Sequence, residues 1–197
     1  MNRKITIYAV IDLLVIFLLS SCNTNPYKSH VQEYILTLEP LANSLDVKTT
    51  LEITYLVEGP QPKNDGFKFV GSNEVDSLVC SDEKGVILSH IEYLKETRIS
   101  WQFEPISSGT KKIKATFILR GMIEKTDNKF NIKASWAGVF RIPVLNARYN
   151  ILLPPNLKRL KLKEPTSWEQ EKRGNLDCYY YVQAPLKNKT IKVQFEK

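Results

Sequence analysis

The sequence predicts an all-β fold, an antiparallel β-sandwich of short strands. Two observations carry that expectation. From Val31 onward apolar residues recur at every second position, the period of a strand with one face in a core. Clusters of Gly, Pro, Asn, Asp and Ser then cut the chain at short intervals, and no stretch keeps a helical period. About eleven or twelve strand-like segments result, a count that fits two packed antiparallel sheets better than a closed barrel.

The chain opens on a different kind of segment. Arg3 and Lys4 precede a mostly apolar run from Ile5 to Leu19, which ends in the small residues Ser20 and Ser21 and then Cys22. This is the layout of a secretory signal over residues 1–21. The run would reach about 22 Å as a helix, short of the roughly 20 apolar residues that a bilayer core requires. Asp12 within it would cost on the order of 2.5–3.5 kcal/mol at a membrane centre. The four residues Leu19-Ser20-Ser21-Cys22 resemble the lipobox of bacterial lipoproteins at every position. The resemblance implies cleavage before Cys22, diacylglycerol on its thiol and usually a further acyl group such as palmitate on the new amino terminus. Two or more chains give stable anchoring, each buried methylene contributing about 0.8 kcal/mol. A retained anchor helix with an incidental cysteine is the alternative. Residues 22–30 then read as a short polar tether containing Pro26, and 31–197 as one sandwich domain.

Taken in order, Val31 to Leu38 is the first strand. Val47, Thr49, Leu51, Ile53, Tyr55 and Val57 then point one way, with Lys48, Glu52 and Glu58 on the other side. The stretch Gly59 to Gly66 (GPQPKNDG) reads as a break, and Phe67 to Val70 resumes. Val75 to Cys80 and Val86 to Ser89 flank a polar turn ending in Gly85, which reads as a longer hairpin connection. Glu92 to Phe103 places Ile99, Trp101 and Phe103 inward, and Pro105 to Thr110 turns the chain. Ile113, Ala115, Phe117 and Leu119 face a core while Lys112 and Lys114 face water. Phe130 to Trp136, Phe140 to Val144, Arg148 to Leu153, Leu157 to Leu162, Leu176 to Val182 and Thr190 to Phe195 follow. Pro143 belongs at an edge or bulge. Pro165 to Asn175 reads as a polar loop with Trp168 as its apolar anchor.

Charge and cysteine content narrow the setting. The chain carries 28 basic and 21 acidic residues, a net charge of +7. The basic groups are scattered, and the two densest (Lys111-Lys112 with Lys114, and Lys158-Arg159 with Lys161 and Lys163) alternate with apolar residues, as on the wet face of a strand. Attraction to anionic headgroups or wall polymers is the alternative. No nucleic-acid motif is present, and none is expected as a partner. Of the three cysteines, Cys80 and Cys178 remain if Cys22 is lipidated. Outside the cytoplasm they could form a bridge, worth about 4.7 kcal/mol for a loop of ~100 residues; two buried, unlinked thiols are the plainer alternative.

Catalytic and cofactor signatures are absent from this sequence. There are two histidines, His30 and His90, neither at metal spacing from another ligand. No Gly-x-Ser-x-Gly elbow and no phosphate-cradling glycine loop occurs. His90 and Glu92 would share one face of a strand, and Cys178 with His90 is a conceivable nucleophile and base, a structural thiol being the plainer reading. Asp76, Asp82, Asp127 and Asp177 sit in or near turns without a calcium-loop pattern. In Tyr179-Tyr180-Tyr181, alternation sends Tyr180 to the face opposite its neighbours, so the triplet is a candidate contact surface.

Two stretches carry a further resemblance. Leu51-Glu52-Ile53-Thr54-Tyr55 is an early strand after a tether. Trp136-Ala137-Gly138-Val139-Phe140-Arg141-Ile142-Pro143-Val144 leads into Ala147-Arg148-Tyr149-Asn150-Ile151-Leu152-Leu153-Pro154. Together they are similar to the exported β-domain of an uncharacterised family of bacterial membrane proteins, and more loosely to the N-terminal β-domain of zinc aminopeptidases. The resemblance implies a sandwich and brings no catalytic residue with it; the aminopeptidase His-Glu-x-x-His motif is missing. The expected function is a lipid-anchored, non-catalytic binding or assembly module of the cell envelope. It would sit on the outer side of the cytoplasmic membrane or on the outer membrane, facing an envelope protein or glycan. A hydrolase of envelope polymers and a structural envelope component are the alternatives.

Overall fold

The computed structural model describes residues 29–41, 43–127, 129–136, 143–155, 158–164, 167–183 and 189–196. The signal segment, Cys22 and most of the tether lie outside the described residues. Twelve strands are described: β1 (His30–Pro40), β2 (Val47–Phe69), β3 (Val75–Asp82), β4 (Gly85–Tyr93), β5 (Thr97–Leu119), β6 (Ile123–Thr126), β7 (Lys129–Trp136), β8 (Val144–Leu153), β9 (Lys158–Glu164), β10 (Glu169–Arg173), β11 (Leu176–Gln183) and β12 (Lys189–Glu196). They form an eight-stranded sheet in the order β10-β11-β8-β1-β2-β5-β3-β4 and a four-stranded sheet in the order β6-β7-β12-β9. Ile123, Ile132, Val193 and Phe195 of the small sheet share one hydrophobic core with the inward residues of the large sheet. The fold is all-β, as the two-residue period predicts.

The alternation sets the burial. Val47, Thr49, Leu51, Ile53, Tyr55 and Val57 are all buried, as are Ile99, Trp101, Phe103, Ile113, Ala115, Phe117 and Leu119. One pairing departs from the antiparallel expectation: β1 runs parallel to β8. β8 reaches the large sheet only after the chain has built β6 and β7 in the small one, so no hairpin fixes its direction.

The two turn-rich stretches prove to be one feature. β3 and β4 run antiparallel to each other, yet each also runs antiparallel to β5. A straight β5 could not satisfy both, so it turns back on itself between Gln102 and Lys114. β2 follows it around the bend: Val47 to Glu58 pairs with Leu119 to Ser108, and Lys63 to Phe69 pairs with Ile106 to Arg98. The register shifts at Glu58/Lys63 and Lys63/Asp65 fall at the bend, as does Gly109, at φ 99°. The expected break at 59–66 and turn at 105–110 are therefore the two sides of a corner in a paired ribbon. The inner faces of its two arms meet closely. A Cβ on Gly66 would stand 2.5 Å from Trp101 Nε1 and 2.6 Å from the Tyr55 hydroxyl, so only glycine fits there.

Other boundaries shift for local reasons. The β3–β4 connection is shorter than expected: Asp82 is opposite Gly85, leaving Glu83-Lys84 as the loop. The expected strand from Glu92 is divided by a bend at Leu94–Glu96. Val144 to Leu153 is one strand; Pro143 precedes it, its carbonyl accepting from the Val31 N–H at 2.8 Å. The expected loop at 165–175 contains β10, a wholly polar edge strand (EQEKR) with no core face to give it a period.

No bridge joins Cys80 to Cys178; both are free and buried. β3 and β11 stand five places apart in the sheet order, about 24 Å along the sheet at ~4.8 Å per strand, and Cys80 belongs to the hydrophobic core while Cys178 does not. A disulfide needs Cα atoms roughly 4.4–6.8 Å apart.

Candidate functional site

The corner of the ribbon holds the tip of the β3–β4 hairpin, and charged groups fix it there. The Asp82 carboxylate accepts from the Lys84 N–H at 2.8 Å, closing the turn. Its other oxygen accepts from Lys111 Nζ at 2.6 Å. Lys111 also lies 3.1 Å from the Glu83 carboxylate, whose second oxygen accepts the Lys112 N–H at 2.8 Å. Lys84 pairs with Glu104 across the mouth. The Lys111 and Asp82 side chains are only 7% and 3% exposed. Lys111 shares the inward parity of Ile113 and sits over the Phe103 ring, 5.6 Å from its centroid; that ring stacks on Tyr55.

The electrostatics are those of a lock. The hydrogen bond from Lys111 holds Asp82 below the usual carboxylate range. Burial pushes Glu83 up, but backbone N–H groups and Lys111 outweigh it and the result is a lowered value. Burial likewise opposes the Lys111 charge, and its two carboxylate partners more than restore it. None of the three is poised to exchange a proton near neutrality, so the arrangement suits holding rather than acid–base work.

Beside the lock runs an open groove of about 410 Å³. Asp82, Lys84 and Glu104 form its charged wall, with Val86, Leu88 and Phe103 as its apolar one. Val79, Val86 and Leu88 turn to the outer face and are 50%, 81% and 56% exposed. The sheet thus presents an aliphatic strip next to a groove lined by two acidic residues and one basic one.

A second cluster occupies the outer face of β8, β10 and β11. Arg148 donates to Asn150 Oδ1 at 2.9 Å and to Glu171 at 2.7 Å, and its guanidinium lies 4.0 Å from the centroid of the Tyr180 ring. Arg173 shares Glu171 at 2.7 Å. Cys178 lies 4.0 Å from Asn150 Oδ1, and burial pushes its thiol up, away from the reactive thiolate.

The residues singled out in the sequence fall in separate places. Tyr180 does face opposite its neighbours, but it lies under Arg148 and is hydrogen-bonded to Glu169. Tyr179 is buried, and Tyr181 packs against the core beside Trp168. The triplet therefore offers less open aromatic surface than the alternation suggests. His90 and Glu92 share the outer face of β4, where Glu92 pairs with Arg98 at 3.6 Å. Cys178 is six places away in the sheet order, so His90 cannot serve as its base. Asp76, Asp82 and Asp177 are engaged by Arg120, Lys111 and Lys172. Among the described residues no three His, Cys, Asp or Glu side chains gather as metal ligands. Cys22 lies outside the described residues.

No protein-family model and no curated protein matches this sequence. Solved structures share its fold. One is a candidate nutrient-binding protein of Legionella pneumophila, at TM-score 0.62 and 6% identity over 85% of this chain and 67% of that one. Another is a variant of an M1 zinc metallopeptidase of Deinococcus radiodurans, at TM-score 0.54 and 11% identity over 84% of this chain. A candidate protease of Parabacteroides distasonis matches at TM-score 0.51 and 8% identity over 86%. This chain spans only 42% and 40% of those last two proteins. At such identities the likeness establishes the fold.

Proposed function

We propose that this chain is a lipid-anchored protein of the cell envelope, held to the membrane through Cys22, whose β-sandwich is a non-catalytic module that binds another envelope protein. The observation that carries the binding role is the aliphatic strip of Val79, Val86 and Leu88 beside the hairpin groove. Aliphatic side chains favour the side chains of a protein over sugar rings, which stack on aromatic faces. Two carboxylates against one lysine in the groove give no cationic surplus for phosphate-rich polymers. The shared fold of a candidate nutrient-binding protein is consistent with a binding role, and the matched parts of two longer proteins show that the same fold also occurs within larger chains.

Two measurements test this. Labelled palmitate or glycerol should enter the chain and be lost in Cys22→Ala; no incorporation refutes the anchor. A photo-crosslinking residue at Leu88 should capture a membrane-retained protein, and Val86→Asp should abolish the adduct. An adduct indifferent to Val86→Asp refutes the strip as the contact.

A further inference from the structure

Resting on the lipid anchor proposed above, we infer that the corner of the β2–β5 ribbon is the membrane-proximal end of the sandwich, so that the hairpin groove meets partners held at the same membrane surface. Chain length and the point at which β1 enters the sheet carry this orientation. Ser29 Oγ accepts the Glu58 N–H at 3.3 Å and donates to the Glu58 carbonyl at 3.5 Å. His30 then enters β1 opposite Leu56. The first described strand therefore begins at the corner, where Glu58 is opposite Ser108. Six residues lie between Cys22 and Ser29, so the seven steps of extended chain from one to the other reach at most about 25 Å at ~3.6 Å each.

The opposite end is far from that tether. β2 runs back from Glu58 to Val47, about 36 Å at ~3.3 Å per residue. The groove travels with the corner, because its wall is fixed there by the Lys84–Glu104 pair and by Glu83 on the Lys112 N–H. The charges at the corner largely neutralise one another, leaving no cationic surplus to draw anionic headgroups against it. A protein segment lying close to the bilayer is the occupant this geometry favours, and a partner diffusing in the surrounding fluid would more readily meet the far end.

Energy transfer to an acceptor-labelled lipid tests the orientation. The full lipidated chain is reconstituted in vesicles of neutral lipid, with a donor on Ser108→Cys at the corner or on Ser72→Cys at the far end. Greater transfer from the corner is expected, and Cys22→Ala should remove transfer from both positions. Equal transfer, or more from Ser72→Cys, overturns the orientation while leaving the anchor standing. Absence of transfer from either position in the intact chain, or its persistence in Cys22→Ala, removes the anchor and the inference together.

Discussion

The hairpin corner and the outer-face cluster of β8, β10 and β11 use the same ingredients and arrive at different physics. Each sets one cation between two acidic or amide partners and lays it against an aromatic ring. At the corner the cation is inside: the Lys111 and Asp82 side chains are almost entirely screened from water. On the outer face Arg148 and Glu171 are 29% and 37% exposed. Burial decides what such a pair can do. A buried pair costs desolvation and becomes expensive to break, so it fixes geometry; a half-exposed pair is softened by solvent and fixes little. The corner is thus the rigid support for the exposed strip, whereas the outer-face cluster covers a thiol without constraining the sheet.

Breaking the corner should give the largest effect. Lys111→Met leaves Asp82 charged and buried without its cation, a loss of about 3–5 kcal/mol. The urea midpoint should fall by that loss divided by the m-value, and the double variant Lys111→Met with Asp82→Leu should recover most of it. If the double variant is as unstable as the single, the cost is one of packing and the lock is not electrostatic.

Acid sharpens the comparison next. Asp82 and Glu83 are both lowered in the folded protein. The stability they confer is complete above their ordinary values, near ~4, and is lost as pH falls through the lowered folded values. Lys111 is raised, so its contribution is complete below its ordinary value near ~10.4 and fails only as pH rises beyond it. Stability from the lock should be flat between these limits. Asp82→Asn should make the acid limb of a midpoint-against-pH curve shallower; an unchanged limb would mean that other carboxylates govern acid unfolding.

What the sequence shows of all this follows from period and parity. The alternating residues of β2 and β5 identify their buried faces because one side of each strand meets the core. The same rule marks Lys111: it falls on the parity of Ile113, Ala115 and Phe117, so a lysine there must be paired inside. Grouping it with Lys112 and Lys114 as a basic run hides that signal. The corner is hidden for another reason. Gly59 to Gly66 and Pro105 to Thr110 read as ends of strands because turn residues usually end them; only their mutual pairing makes them a bend. β10 has no core face and hence no period. The separation of Cys80 from Cys178 is a property of sheet order, which alternation along a strand does not encode.

The outer-face cluster supplies the smallest expected effect and the control for the rest. Arg148→Leu removes a cation with two hydrogen-bonded partners and a stacked ring, a set that by contact alone rivals Lys111. Solvent reaches the pair, however, and water can replace the guanidinium at Glu171, which still keeps Arg173. The urea midpoint should therefore move far less than for Lys111→Met, and high salt should shrink the Arg148→Leu shift further, because mobile ions screen an exposed pair. Should Arg148→Leu prove as damaging as Lys111→Met, burial would not be what separates the two regions, and the rigid role assigned to the hairpin corner would lose its physical basis.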